Sequence, residues 1–156
     1  MNIYTKNKYK KGFTLIEILV VIGIIAILAA VVLVAVSPGK QFKQARDTQR
    51  IANVNTILNA MGQNMSDHQG LFFCNGNAIT LSELYKPIQS DETSGGFNAA
   101  YCLVPEYLPK LPTDPGTGSY TDEDSYNSGY SIKMDTLGRI SVKAETELQG
   151  EVVVTR

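Results

Sequence analysis

The chain has 156 residues and a formal net charge of −1. Its mean hydropathy is −0.06, and its length leaves room for one ordinary domain plus an appendage. Near-neutrality removes any global electrostatic pull toward nucleic acid or a lipid surface. A single histidine, His68, with no phosphate loop and no metal-ligand motif leaves no catalytic constellation visible, and the chain is read as a non-enzyme.

Residues 1–12 come first. They hold Lys6, Lys8, Lys10 and Lys11 and no acid, so the remainder carries ten basic against 15 acidic side chains, a formal −5. A basic leader therefore precedes an acidic remainder. From Ile18 to Val36 there are nineteen residues without a charged or strongly polar side chain; from Phe13 the run is twenty-four long with one charge, Glu17. As a helix, residues 13–36 would measure about 36 Å at 1.5 Å per residue. A bilayer core needs about 20 apolar residues. The run is too long for the apolar part of a secretory signal peptide, and more apolar residues follow Ala29 and Ala30. A plain single-pass anchor accounts for the length and the basic start, but not for Glu17. A carboxylate in a spanning helix costs roughly 2.5–3.5 kcal/mol at the helix centre and less near its end. Two readings stand: Glu17 snorkels to the interface, or it awaits a cationic partner.

Lys10-Lys11-Gly12-Phe13-Thr14-Leu15-Ile16-Glu17 resembles the class III signal of type IV prepilins and pseudopilins. The close resemblance covers residues 6 to about 36. It implies that a prepilin peptidase cuts after Gly12 on the cytoplasmic side and that the new N-terminus, Phe13, is N-methylated. It further implies that Glu17 meets the Phe13 amine of a neighbouring subunit during assembly. A buried carboxylate and a buried amine are each costly alone and far less so together, and such a pair sets register.

Ser37-Pro38-Gly39 then interrupts the apolar run, with Pro38 and Gly39 as helix breakers. The resemblance implies backbone that unwinds locally in packed filaments. The alternative is that the membrane helix ends here and a second begins. Within residues 37–66, Lys40 to about Ser66 reads as an amphipathic helix, with Ile51, Val54, Leu58, Met61 and Met65 on one stripe and Asn53, Asn55, Asn59 and Gln63 facing elsewhere. Lys40, Lys43, Arg46 and Arg50 form a basic cluster suited to lipid head groups or to acidic faces of neighbouring subunits. Aromatic interleaving is missing apart from Phe42, so nucleic acid is not the expected partner. The cluster opposes the positive-inside rule, and the leader's lysines are expected to prevail.

Residues 67–156 form the expected head. Short helical pieces are read at Leu81–Tyr85 and Ala99–Tyr107. Alternation of Tyr130, Ile132 and Met134, then Ile140 and Val142, then Val152 and Val154 predicts three strands. Asp135–Gly138 and Gln149–Gly150 are the connections. The fold class is α+β: a long N-terminal membrane helix continuing into an amphipathic helix packed on a small antiparallel sheet, as the resemblance to pilins implies.

If the leader stays inside, the head lies outside the cytoplasmic membrane, where Cys74 and Cys102 would pair. Two buried free thiols are the alternative, and two cysteines alone are too few for a metal. His68 reads as solvated. Asp114, Asp122, Glu123 and Asp124 lie in a Gly-, Ser- and Tyr-rich loop. Leu111-Pro112-Thr113-Asp114-Pro115 before it resembles, loosely, the calcium-binding region of major secretion pseudopilins. Two readings remain: a calcium site at Asp114, Asp122 and Asp124, or a solvated acidic loop. No other cofactor is expected.

The leading functional expectation is a structural subunit of a type IV pilus. Its expected partners are identical and related subunits, the prepilin peptidase, an inner-membrane assembly platform and the bilayer. It would be a single-pass cytoplasmic membrane protein before assembly and part of an extracellular or periplasmic filament afterwards. The alternatives are a pseudopilin of a type II secretion system and a membrane-anchored binding protein that never polymerises.

Overall fold

The computed structural model describes residues 12–156; the expected leader up to Lys11, with its four lysines, lies outside the described residues. The chain parts between Gln41 and Phe42 into two compact units.

In the first unit, helix α1 spans Leu15–Val36. Its Leu15–Ala35 stretch has a mean hydropathy of 3.4, is long and apolar enough to cross a membrane, and is exposed along its length. Ile and Val are indifferent helix formers in water, but in hydrocarbon every backbone group must bond within its own segment, which selects the helix. The helix ends where Ser37 turns left-handed, at φ 43° and ψ 73°. Helix α2, Pro38–Asp67, begins at the next residue. Proline suits a first helical position because its missing N–H would be unpaired there anyway, and the Lys40 N–H closes the turn on the Ser37 carbonyl at 3.0 Å. Pro38 and Gly39 thus lie inside the start of α2, with the break at Ser37.

In the second unit, α2 buries Asp47, Arg50, Val54, Ile57, Leu58, Ala60, Met61 and Asn64. Asp47, Arg50, Val54, Ile57, Met61 and Asn64 recur at alternating spacings of three and four, the repeat of one helix face. The expected stripe is therefore rotated. Val54, Leu58 and Met61 lie in the core, but Ile51 is 41% exposed, and Ile57 is fully buried. Apolarity alone picked Ile51; the true face runs through polar residues whose partners come from the head.

After α2 come the two-residue strands β1 (Phe73–Cys74) and β2 (Asn77–Ala78), then β3 (Lys86–Gln89) and the short helix α3 (Ala100–Leu103). Four longer strands close the chain: β4 (Ser119–Asp122), β5 (Ser125–Met134), β6 (Ile140–Thr146) and β7 (Gly150–Thr155). The main sheet is antiparallel with order β3-β5-β6-β7, and β4 also pairs with β5. The three strands expected from alternation are β5, β6 and β7; β3 and β4 add to them. Tyr130 lies opposite Ala144, Ile132 opposite Val142, and Val142 opposite Val154. Tyr130, Ile132, Val142 and Ala144 are buried and share one core with Val54, Ile57, Leu58 and Met61. The β5–β6 turn is tied by Asp135, whose Oδ1 accepts the N–H groups of Leu137 and Arg139, both at 2.9 Å.

Two expected helical pieces are corrected. Leu81–Tyr85 is irregular: the Ser82 carbonyl is taken by the Met134 N–H at 3.0 Å, which ties the segment to β5. At Ala99–Tyr107 the helix stops at Leu103, because Val104 is held extended ahead of Pro105. His68, read as solvated, is half-buried and stacks on Phe73 with ring centroids 4.5 Å apart.

Cys74 and Cys102 are joined by a disulfide that ties β1 to α3 across a sequence separation of 28. A crosslink of that span stabilises by about 3.5 kcal/mol in the chain-entropy account. A Cys74→Ser/Cys102→Ser chain in detergent should lose about that much in a urea titration. A loss below about 1 kcal/mol would show that the segment holds without the bond.

Candidate functional site

Gly12 and Phe13 precede α1 and are exposed, and Phe13 is 85% accessible. Among the described residues, a Cβ built on Gly12 would meet nothing within 4 Å. Thr14 is the N-cap, extended at φ −81° and ψ 151°. Its hydroxyl oxygen accepts the Glu17 N–H at 3.2 Å. In return Glu17 Oε2 accepts the Thr14 N–H and the Thr14 hydroxyl, both at 2.9 Å. This reciprocal capping box satisfies donors that the first turn of a helix otherwise leaves unpaired. Glu17 is the sole charge on α1, and its neighbours Phe13, Ile16, Ile18, Val20 and Val21 are exposed apolar side chains. The role of Thr14 was missed in the sequence, although Thr-x-x-Glu before an apolar run is the pattern that announces such a box.

A second constellation ties the head together. Arg50, expected to face lipid or a neighbouring subunit, is buried instead, with its side chain 6% exposed. Its Nε donates to Asp114 Oδ2 at 2.6 Å, its Nη1 to Asp47 Oδ1 at 2.7 Å, and the same Nη1 to Glu147 Oε1 at 3.2 Å. Arg46 binds Glu147 through Nε at 2.5 Å and Nη2 at 2.7 Å. Asp47 also accepts the N–H groups of Glu147 and Leu148, at 2.9 and 3.1 Å. The base of α2 thus grips the loop before β4 and the β6–β7 turn. Asn53, expected on the outer face, donates to the Thr113 carbonyl and the Tyr130 hydroxyl, both at 2.9 Å.

Burial works to raise the Asp114 carboxyl. The Arg50 guanidinium and the N–H groups of Gly116 and Thr117 overcome it and hold Asp114 at about 2. The hydrogen bond from Arg46, reinforced by Arg50, likewise holds Glu147 at about 2. Arg50 is raised, chiefly by its bond to Asp114.

Asp114, Asp122 and Asp124 are not brought together. Asp122 and Asp124 sit at the tip of the β4–β5 hairpin, where Asp122 Oδ1 caps the Asp124 N–H and Asp124 takes the Tyr101 hydroxyl. Asp114 lies against Gly129, so close that a Cβ there would come within 2.6 Å of the Asp114 Cβ. Both Asp114 oxygens are engaged by Arg50. Among the described residues no three His, Cys, Asp or Glu side chains gather as potential metal ligands. A guanidinium holds the oxygens that a cation would need.

A family model described as the prokaryotic N-terminal methylation motif matches residues 7–33. No curated protein and no solved structure matches the chain at a significant level. The motif marks a structural, pilin-type class of precursor and not an enzyme family. Residues 7–33 therefore carry the class III signal of type IV pilins and pseudopilins, set at the head of an exposed apolar helix.

Proposed function

We propose that this chain is the precursor of a structural subunit of a type IV pilus-like filament. It is cut after Gly12, methylated on the Phe13 amine and polymerised through α1, with the head displayed outside the cytoplasmic membrane. The observation that carries this reading is the methylation motif at residues 7–33 leading into an apolar helix whose sole charge is Glu17. An uncovered helix of this kind needs lipid or other helices around it, and a filament core supplies the second once the first is left. Its partners in this reading are related subunits, the prepilin peptidase, an assembly platform in the inner membrane and the bilayer. A secretion pseudopilin shares the motif and the helix. The disulfide-braced segment after α2 fits a head held outside the cytoplasm, where thiols are oxidised.

N-terminal sequencing and intact mass of the protein recovered from cells test the proposal. The expected result is a start at Phe13 with one added methyl group, in filaments that shear from the cell surface. A start at Met1 would leave a signal-anchored protein and remove the filament reading. A processed chain found only within the envelope would favour the secretion pseudopilin.

A further inference from the structure

We propose that Thr14 is a positioning residue for assembly: it holds Glu17 by one carboxylate oxygen and leaves the other to receive the amine of a neighbouring subunit. The inference rests on the assembly reading above and adds the residue that aims the carboxylate.

All the hydrogen bonds to the Glu17 carboxylate fall on Oε2, from the Thr14 N–H and the Thr14 hydroxyl. Among the described residues Oε1 accepts none. An ionised carboxylate has about four lone-pair directions across its two oxygens, so a side chain tethered through Oε2 still offers Oε1. The tether matters because a free glutamate has several rotamers and loses entropy when one is selected. Here the selection is made within the subunit, before any neighbour arrives. The same contacts satisfy the Thr14 N–H and hydroxyl, which would be costly to leave unpaired in hydrocarbon. The incoming amine therefore adds to the capping box without displacing it. Cutting at Gly12 places an amine one residue before Thr14 in every subunit, so each copy carries both the aimed acceptor and the donor.

The test uses the full chain in cells that contain the peptidase and the assembly platform. Thr14→Val keeps the shape and the N–H and removes the hydroxyl; Thr14→Ser keeps the hydroxyl. The readouts are the fraction of chain starting at Phe13 and the yield of sheared filament. Thr14→Val should mature like the natural chain and give about fivefold less filament, in line with the loss of one cap. Thr14→Ser should restore the yield. Normal filament from Thr14→Val, failure of Thr14→Ser to rescue, or loss of cleavage in Thr14→Val would each overturn the positioning role. Glu17→Ala in the same assay separates the two claims. If it polymerises normally, the assembly reading itself falls. If it fails while Thr14→Val assembles, only the role of Thr14 is lost.

Discussion

An Asp114→Ala chain should lose about 3–5 kcal/mol of head stability, the usual cost of removing one partner from a buried ion pair. The side chains of Asp114 and Arg50 are only 5% and 6% exposed. With Asp114 gone, a buried guanidinium keeps Asp47 and part of Glu147 but loses its bidentate partner. The loop held by the bonds from the Gly116 and Thr117 N–H groups to Asp114 Oδ1, at 2.7 and 2.9 Å, loses its anchor too. The measurement is the urea midpoint of the detergent-solubilised chain, followed by a head signal such as tyrosine fluorescence. A shift worth less than about 1 kcal/mol would mean that water replaces the carboxylate without cost.

The same cluster sets an acid limit. Asp114 and Glu147 are both held at about 2, below the ordinary carboxylate range of about 4. Groups depressed on folding contribute stability that is fully present above the unfolded value and is lost as pH falls through the folded one. Head stability should therefore be level near neutrality and fall from about pH 4 to about pH 2. An Asp114→Asn chain should start lower and fall less over that window, and parallel curves for the two would refute the assignment.

Glu17→Ala should leave insertion and cleavage intact and cut filament yield by at least about a hundredfold. Removing the carboxylate favours the membrane-inserted monomer, because a spanning helix without a charge is cheaper to keep in lipid. In the proposed pairing, the same change leaves a neighbour's Phe13 amine buried without a partner, which costs about 3–5 kcal/mol for each broken pair. Insertion and assembly thus respond in opposite directions, which sets this change apart from simple misfolding. The membrane fraction should hold normal or raised amounts of chain starting at Phe13, with sheared filament nearly lost. Filament at the natural level would end the pairing argument.

The sequence alone was enough for the parts whose signals are local. Nineteen apolar residues from Ile18 to Val36 announce a spanning helix because a bilayer of fixed thickness demands that length. Gly12, Phe13 and Glu17 announce the methylation motif because that motif is a pattern of neighbouring residues. The alternation at Tyr130–Met134, Ile140–Val142 and Val152–Val154 announces β5, β6 and β7 because a strand's side chains alternate with period two. Only the tertiary structure decided which charges meet. Arg50 and Asp114 lie 64 positions apart, and Asp47 and Glu147 lie 100 apart; no periodicity connects residues at such distances. That pairing turned a predicted surface cation inward, took the oxygens of a candidate calcium ligand and rotated the buried face of α2 from Ile51 toward Arg50. Apolar burial can be read from pattern, whereas a buried charge goes wherever the fold delivers its counter-charge.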